Sequence, residues 1–218
     1  MLFENREQAA RLLAQRLSGD YKNQNPLVLA IPRGAIGMAT IIAETLDGEL
    51  DVVLVHKLGA PGQPELAIGA IDETGKVFLS GHGIHFDHAY LEAEKRTQLE
   101  LLRRRRARYT PSRGPIDPHD RIVIVVDDGI ATGSTMTAAL RTIRRSQPKK
   151  LVGAVAVAST TALRAISREA DAVVCLDVPE EFYAVGQFFE DFAQVSDDEV
   201  VATLQKANTS ASARSDLL

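Results

Sequence analysis

The sequence predicts an α/β protein: a doubly wound parallel sheet of about five core strands, with a small hood inserted beside it. Three observations predict this. Short apolar runs at Leu27–Ile31, Asp51–Val55, Ile122–Val126, Leu151–Ala158 and Ala172–Leu176 are nearly continuous, which suits strands covered on both faces. Helical patterns separate most of them, and strand–helix–strand alternation implies parallel pairing through right-handed crossovers. The chain has 218 residues, the size of one domain or of one domain carrying an insertion.

Each element has its own signal. Asn5 is placed to cap a first helix whose apolar residues Ala9, Leu12, Leu13 and Leu17 recur at helical spacing, with Gly19 near its end. Pro26 precedes the first strand, and Gly34–Leu46 follows as a helix with Ile36, Ala39, Ile42, Ala43 and Leu46 facing inward. After the second strand the pattern breaks. Gly59, Pro61, Gly62 and Pro64 mark a loop, and two short strand-like pieces follow at Leu66–Ile71 and Lys76–Leu79. Residues 88–109 read as a long charged helix, with Glu92 and Glu94 early and arginines late, as the helix dipole favours. Pro111, Gly114, Pro115 and Pro118 mark a further connection. Alternation then resumes, with helices over Ser134–Ser146 and Thr161–Glu169. The expected organisation is a single domain over 1–206, a hood and mobile-loop insertion over about 60–118, and a flexible Ser- and Ala-rich tail over 207–218.

Composition excludes several classes. The chain is 45% hydrophobic and 25% charged, which separates it from disordered sequences. A formal net charge of -4 gives no electrostatic case for a dedicated nucleic-acid binder. A single cysteine excludes an intrachain disulfide framework and a multi-cysteine zinc site; Cys175 lies in an apolar run and reads as a buried, inert thiol. Met1–Leu17 is charge-dotted rather than signal-like, and apolar runs fall far short of the roughly 20 residues of a membrane span. A soluble cytoplasmic protein, with no membrane partner, is expected.

The chemistry concentrates in Val125–Thr137, VVDDGIATGSTMT. An apolar strand ends in two aspartates, a tight turn is expected after them, and a small-residue run opens a helix. Small residues let backbone N–H groups approach an anion, and a helix N-terminus adds a favourable dipole. Thr132, Ser134 and Thr135 supply hydroxyls for phosphate oxygens. Asp127 and Asp128 fall where the carboxyl end of a strand meets the ligand crevice of an open α/β sheet, and paired carboxylates suit the vicinal hydroxyls of a sugar. Neither GxxxxGK[ST] nor a GxGxxG after a strand is present, so P-loop and dinucleotide readings lack support. The competing structural reading is a well-capped strand-to-helix turn, which needs only one Asp or Ser.

VVDDGIATGSTM resembles the 5-phosphoribosyl-1-pyrophosphate (PRPP) signature of the type I phosphoribosyltransferases. The resemblance implies that Asp127 and Asp128 hold the ribose hydroxyls and that Ala131, Thr132, Gly133, Ser134 and Thr135 hold the 5-phosphate. AIPRG at Ala30–Gly34 resembles the family's pyrophosphate loop, which implies a pyrophosphate contact from Arg33 and a permissive backbone at Gly34. His56–Lys57, read as the end of the second core strand, stands where relatives carry Arg-Lys, implying a pyrophosphate contact from Lys57. GAPGQPELAIGAID at Gly59–Asp72 resembles the mobile loop and hood of a bacterial group of phosphoribosyltransferase-domain proteins. DVPEEFYAVGQFFEDF at Asp177–Phe192 is similar to the base-binding end of hypoxanthine-guanine phosphoribosyltransferases. That likeness implies base stacking on Phe182 and a magnesium contact from Asp191, with spacing that differs by one residue.

Two departures bear on the acceptor. Ala131 stands where hypoxanthine-guanine enzymes carry an acidic proton acceptor, and around Ala158–Thr160 no lysine is present to read a 6-oxo group. The resemblance therefore implies transfer of phosphoribosyl from Mg-PRPP (the cofactor being Mg2+) to a nitrogenous base, purine-like by preference, with the acceptor left open. The alternative is a non-catalytic PRPP-sensing regulator, and a sugar-phosphate hydrolase is a third reading. A homodimer is allowed but not indicated. Two further patterns read as bland. His82, His85 and His88 have helical spacing but sit among glycines with no completing ligand, and Arg103–Arg106 reads as a solvated helix end rather than an RNA patch.

Overall fold

The computed structural model describes residues 1–79 and 87–215. Strands β1 (Leu27–Ala30), β2 (Glu49–Val52), β6 (Ile122–Ile130), β7 (Lys150–Ala158) and β8 (Ala172–Asp177) form a five-stranded sheet in the order β2-β1-β6-β7-β8, and every pair is parallel. Helices α1 (Arg6–Tyr21) and α2 (Ile36–Leu46) pack against one face, and α4 (Ser134–Arg144) and α5 (Thr160–Ile166) against the other. The predicted five-stranded doubly wound sheet is the one observed.

Its continuous apolar runs have a simple cause. Side chains alternate across a strand, and here both faces are buried. On β1, Val28 and Ala30 join Leu13, Leu17, Met38 and Ile42 on one side. Leu27 and Leu29 join Val123, Val125, Met136 and Leu140 on the other. Full burial of each such aliphatic chain contributes about 1.5–3 kcal/mol, so a polar residue in either register is strongly disfavoured.

The strand order reverses beside β1. The chain moves outward from β1 to β2, then returns to place β6 on the opposite side of β1. The carboxyl ends of β1 and β6 therefore open onto the topological switch point, where loops diverge and leave a crevice.

The terminal segments close one side of this crevice. Asn5 caps α1 as expected, its side-chain Oδ1 accepting the Gln8 N–H at 2.9 Å. The Phe3 N–H donates to the Phe188 carbonyl at 2.8 Å, and Glu190 and Asp191 N–H groups donate to Phe3 and Glu4, both at 2.9 Å. Phe188 ends a 3-10 turn, Val185–Phe188, so the C-terminal segment is laced to the start of α1. Helix α6 (Asp197–Ser215) runs on through Ala207, where the sequence suggests fraying, to Ser215. Among the described residues, no helix is long and apolar enough to cross a membrane.

A second, antiparallel sheet, β3 (Val55–Ala60), β4 (Gln63–Asp72) and β5 (Val77–Leu79), forms the hood with the long helix α3 (His88–Tyr109). The helix has the bounds the charge pattern suggests. The second core strand, however, stops at Val52, so His56 and Lys57 lie in β3 rather than at its end. The run through Val52, Val53 and Leu54 is almost completely buried, which disguises a change of sheet as one strand.

Hood and core are tied by charge as well as packing. Asp51, fully buried on β2, accepts from Arg106 at 3.0 Å, from Arg113 at 2.9 Å and from the Ile116 N–H at 2.9 Å. Arg106 also holds Glu73 and the Val52 carbonyl. This corrects the reading of Arg103–Arg106: Arg103 and Arg104 are solvated, but the Arg106 side chain is only 12% exposed and joins α3 to β2. Helix periodicity alone does not show which arginine turns inward. Removing one member of such a pair strands a buried charge. Asp51→Ala should lower unfolding free energy by about 3–5 kcal/mol, read from the urea midpoint at unchanged slope; a loss under about 1 kcal/mol would show that the pair is not needed.

Candidate functional site

Strand β6 carries the acidic pair further than the sequence suggests. It pairs with β7 through Asp127↔Val155, Gly129↔Val157 and Ile130↔Ala158, so the aspartates lie within the strand and the turn begins only at Ala131. Gly129 permits this. A Cβ there would meet Val185 Cγ1 at 2.5 Å and Val157 Cγ1 at 2.8 Å.

Asp128 is buried at the edge of the crevice, and its Oδ2 accepts from Arg6 Nε at 2.8 Å. Arg6, the first residue of α1, also donates to the Ala193 carbonyl at 2.7 Å and lies 3.7 Å over the Phe192 ring. Gly34, in the loop after β1, closes the other side: a Cβ on it would fall 2.3 Å from Asp128 Oδ2. Arg6, Arg33, Gly34, Asp128, Phe192, Gln194 and Val195 together line a pocket of about 360 Å³.

Asp127 Oδ1 accepts the Asp128 N–H at 2.9 Å. Burial first, and then the neighbouring Asp128 carboxylate, hold the Asp127 carboxyl well above the ordinary carboxylate range, against the opposing pull of that N–H and of Arg6. Asp127 as a residue is half-buried and is not part of the pocket lining.

The small-residue loop follows directly. Ala131, Thr132, Ser134 and Thr135 are exposed. Gly133 is buried, with φ 74°, and a Cβ there would sit 3.3 Å from Ala162 Cβ; the left-handed backbone and the close neighbour both favour glycine. Thr132 and Ser134 hydroxyls lie 3.1 Å apart, Thr132 Oγ1 accepts the Ser134 N–H at 3.4 Å, and the N-cap residue Gly133 of α4 supplies no side-chain cap. The loop's carbonyls are engaged inward instead: the Ser159 hydroxyl donates to the Ala131 carbonyl at 2.6 Å, and the Ser159 N–H to that of Ile130 at 3.0 Å. Exposed hydroxyls and uncapped helix donors face the same end of the sheet as the acidic pair, a combination suited to an anion.

The remaining predicted residues divide. Arg33 is exposed and lines the pocket beside Gly34; the Pro32–Arg33 peptide is cis. Lys57 is on β3, opposite Ala70, and is absent from the pocket lining. Phe182 is half-buried, 5.1 Å from Phe188 between ring centroids, and does not line the pocket. Its neighbour Tyr183 is 82% exposed. Asp191 is exposed, with Oδ1 accepting the Ala193 N–H at 3.0 Å. His88 opens α3 at the surface, while His82 and His85 lie outside the described residues. Cys175 is half-buried, and burial pushes its thiol up to about 11, in keeping with an inert group. Sequence reasoning missed Arg6, Phe192, Gln194 and Val195. Nothing local marks Arg6, which reads as an ordinary first-turn helix residue.

Among the described residues, no group of three or more His, Cys, Asp or Glu side chains is arranged to hold a metal ion. Mg2+ commonly takes only one or two protein carboxylates, its other ligands being water or substrate oxygens. Asp191, Asp127 and Asp128 are oxygen donors of the required kind.

An α/β sheet of this strand order, with an acidic pair and a small-residue loop at its switch point and a separate antiparallel hood, has the architecture of the type I phosphoribosyltransferase fold. Comparison with known proteins agrees. A family model described as phosphoribosyl transferase domain matches residues 2–192, and the chain belongs to that family. It is 44% identical over 210 residues to Mycobacterium tuberculosis proteins named "Putative phosphoribosyl transferase" in strains CDC 1551 / Oshkosh and H37Rv. The match covers 95% of this chain but 47% of those proteins, so the chain spans about half the length of the curated relatives it matches. The crystal structure of TT1426 from Thermus thermophilus is 42% identical, with a TM-score of 0.84 over 94% of this chain and 99% of that one. AQ2163 from Aquifex aeolicus, at 14% identity and a TM-score of 0.51 over 83% of this chain and 76% of that one, shares the fold.

The geometry of the acidic pair sets two expectations. Asp127→Asn keeps an acceptor for the Asp128 N–H but removes a disfavoured charge. The wild-type penalty is absent where the carboxyl is protonated and grows as pH rises from the ordinary aspartate range through its raised folded value. Asp127→Asn should therefore melt above the parent at mildly alkaline pH, with the gap closing as pH falls to the ordinary aspartate range. A gap of equal size at both pH values would exclude charge as its cause. Gly34→Ala should displace the Asp128 carboxylate, visible as loss of the 2.8 Å Arg6 contact in a crystal structure of the variant; an unmoved carboxylate would contradict the packing described.

Proposed function

We propose that this chain binds Mg-PRPP and transfers its phosphoribosyl group to a nitrogenous base, purine-like by preference, releasing pyrophosphate. The observation that carries the reading is the placement of the Asp127–Asp128 pair and of the hydroxyl-bearing loop 131–135 on consecutive stretches of one strand and helix, at the switch point. Family membership supports the reaction type. It leaves the acceptor open.

In this reading the 5-phosphate is held by N–H groups of residues 131–135 and by the hydroxyls of Thr132, Ser134 and Thr135. Asp127 and Asp128 accept from the ribose hydroxyls, and their charge favours the cationic sugar that develops as the anomeric C–O bond breaks. The electron pair leaves with pyrophosphate, which the guanidinium of Arg33 receives. Bound magnesium supplies further neutralisation of that leaving group, with Asp191 as a candidate ligand. The base nitrogen forms the new C–N bond and gives its proton to solvent, since Ala131 offers no acceptor. Lys57, on β3, is a further candidate contact for the pyrophosphate. For base stacking, exposed Tyr183 joins half-buried Phe182 as a candidate surface.

Calorimetric titration with Mg-PRPP, followed by pyrophosphate release with a panel of bases, tests this. Binding is expected, together with turnover on at least one base. Asp128→Asn and Thr132→Val should each weaken Mg-PRPP by about tenfold, the worth of one charge-assisted or well-placed hydrogen bond. Parent-like affinity in both would remove the site from consideration. The missing acceptor at Ala131 favours one other reading, a non-catalytic PRPP sensor, which binding without turnover on every base would establish.

A further inference from the structure

Two adjacent carboxylates at the mouth of a partly buried crevice repel each other, and the sugar site needs at least one of them held charged and in a fixed rotamer. Strand β6 does not supply this by itself. Arg6 does, from the opposite wall. Its guanidinium is fixed in its plane by bonds to Asp128 Oδ2 and to the Ala193 carbonyl, and across its plane by the Phe192 ring. The two side chains are only 18% and 13% exposed, so solvent screens the contact weakly. A planar guanidinium held on an aromatic face loses little freedom when it bonds a carboxylate, which a lysine cannot match.

The backbone around Arg6 leaves it little latitude. The Phe3, Glu190 and Asp191 N–H bonds lace residues 3 and 4 to the 188–191 segment, and the Phe3 and Phe189 rings pack with centroids 5.3 Å apart. Arg6 therefore meets Asp128 wherever the two terminal segments meet each other. It engages Oδ2 of that carboxylate, and Asp128 itself lines the pocket. The other charged groups about the pair are Asp127 on the same strand and Arg33 across the pocket. Arg33 is exposed at the pocket wall, where a diffusible anion can reach it.

We propose that Arg6 is a positioning residue of the sugar site: it acts through Asp128, orienting that carboxylate for the ribose hydroxyls and making the site depend on the junction between the first helix and the C-terminal segment. This rests on the reading of the crevice as a PRPP site.

A double-mutant cycle on Mg-PRPP affinity tests it, using Arg6→Met, Asp128→Asn and the combined variant in the full chain. Arg6→Met alone should weaken binding by about tenfold to a hundredfold, as loss of a hydrogen bond to a charged group does. In the Asp128→Asn background the same change should cost less than about threefold, because the residue through which Arg6 acts is already neutral. Arg6→Lys should fall between parent and Arg6→Met. Should Arg6→Met not fold, Phe192→Leu removes the stacking face instead, and its smaller loss, about threefold, should likewise vanish when Asp128 is Asn. An equal fold-loss in both backgrounds means that Arg6 supports the structure generally, and overturns the inference while leaving the site in place. A parent protein that takes up no Mg-PRPP overturns the sugar-site reading itself, and the inference with it.

Discussion

The site depends on the approach of the loop after β1 to the carboxylate of Asp128 on β6. Gly34 lies so near Asp128 Oδ2 that a single added carbon would overlap it, at 2.3 Å. The two strands are neighbours only because the sheet reverses its order beside β1. That reversal separates the loops enough to form a crevice, and the missing side chain at residue 34 keeps its walls close together. A wider gap would leave Arg33 and the acidic pair serving different molecules.

The same economy of small residues recurs along β6 and its loop. Gly129 makes room for Val185 and Val157, which carries the acidic pair within the strand rather than beyond it. Gly133 turns the backbone left-handed against Ala162 and opens α4 without a cap. Rigid strand below and exposed donors above are an arrangement suited to an anion, with the Ala131 and Ile130 carbonyls engaged by Ser159. The third wall is borrowed from the terminal segments, where Arg6 and Phe192 meet. The hood has its own sheet, packed on the core through Leu58, Ile68 and Ile71 and tied to it by Asp51 and Arg106.

The fold is legible in the sequence because burying a parallel sheet on both faces leaves a strong mark: five apolar runs, most of them separated by helix signals, in chain positions that match the observed strands. The loop 131–135 is legible for a similar reason, since five consecutive small or hydroxyl residues have few structural uses. What fails to show is anything decided by distant contacts. The end of β2 is hidden because Val52, Val53 and Leu54 are all buried whichever sheet they serve. Arg106 looks like its neighbours until α3 meets β2, and Arg6 looks like any helix-opening residue until it meets Asp128 from 122 positions away. Charge pairing across such separations leaves no periodicity to read.

The central claim is that one phosphorylated pentose is grasped at both ends by β6 and the turn that follows it. A crystal structure of the chain with Mg-PRPP tests this most directly. The 5-phosphate should lie within hydrogen-bond reach of the backbone and hydroxyls of residues 131–135, with the ribose hydroxyls on Asp127 and Asp128. Ligand bound instead in the polar pocket lined by Asn25, Arg121 and Lys149, with the acidic pair untouched, would contradict the account.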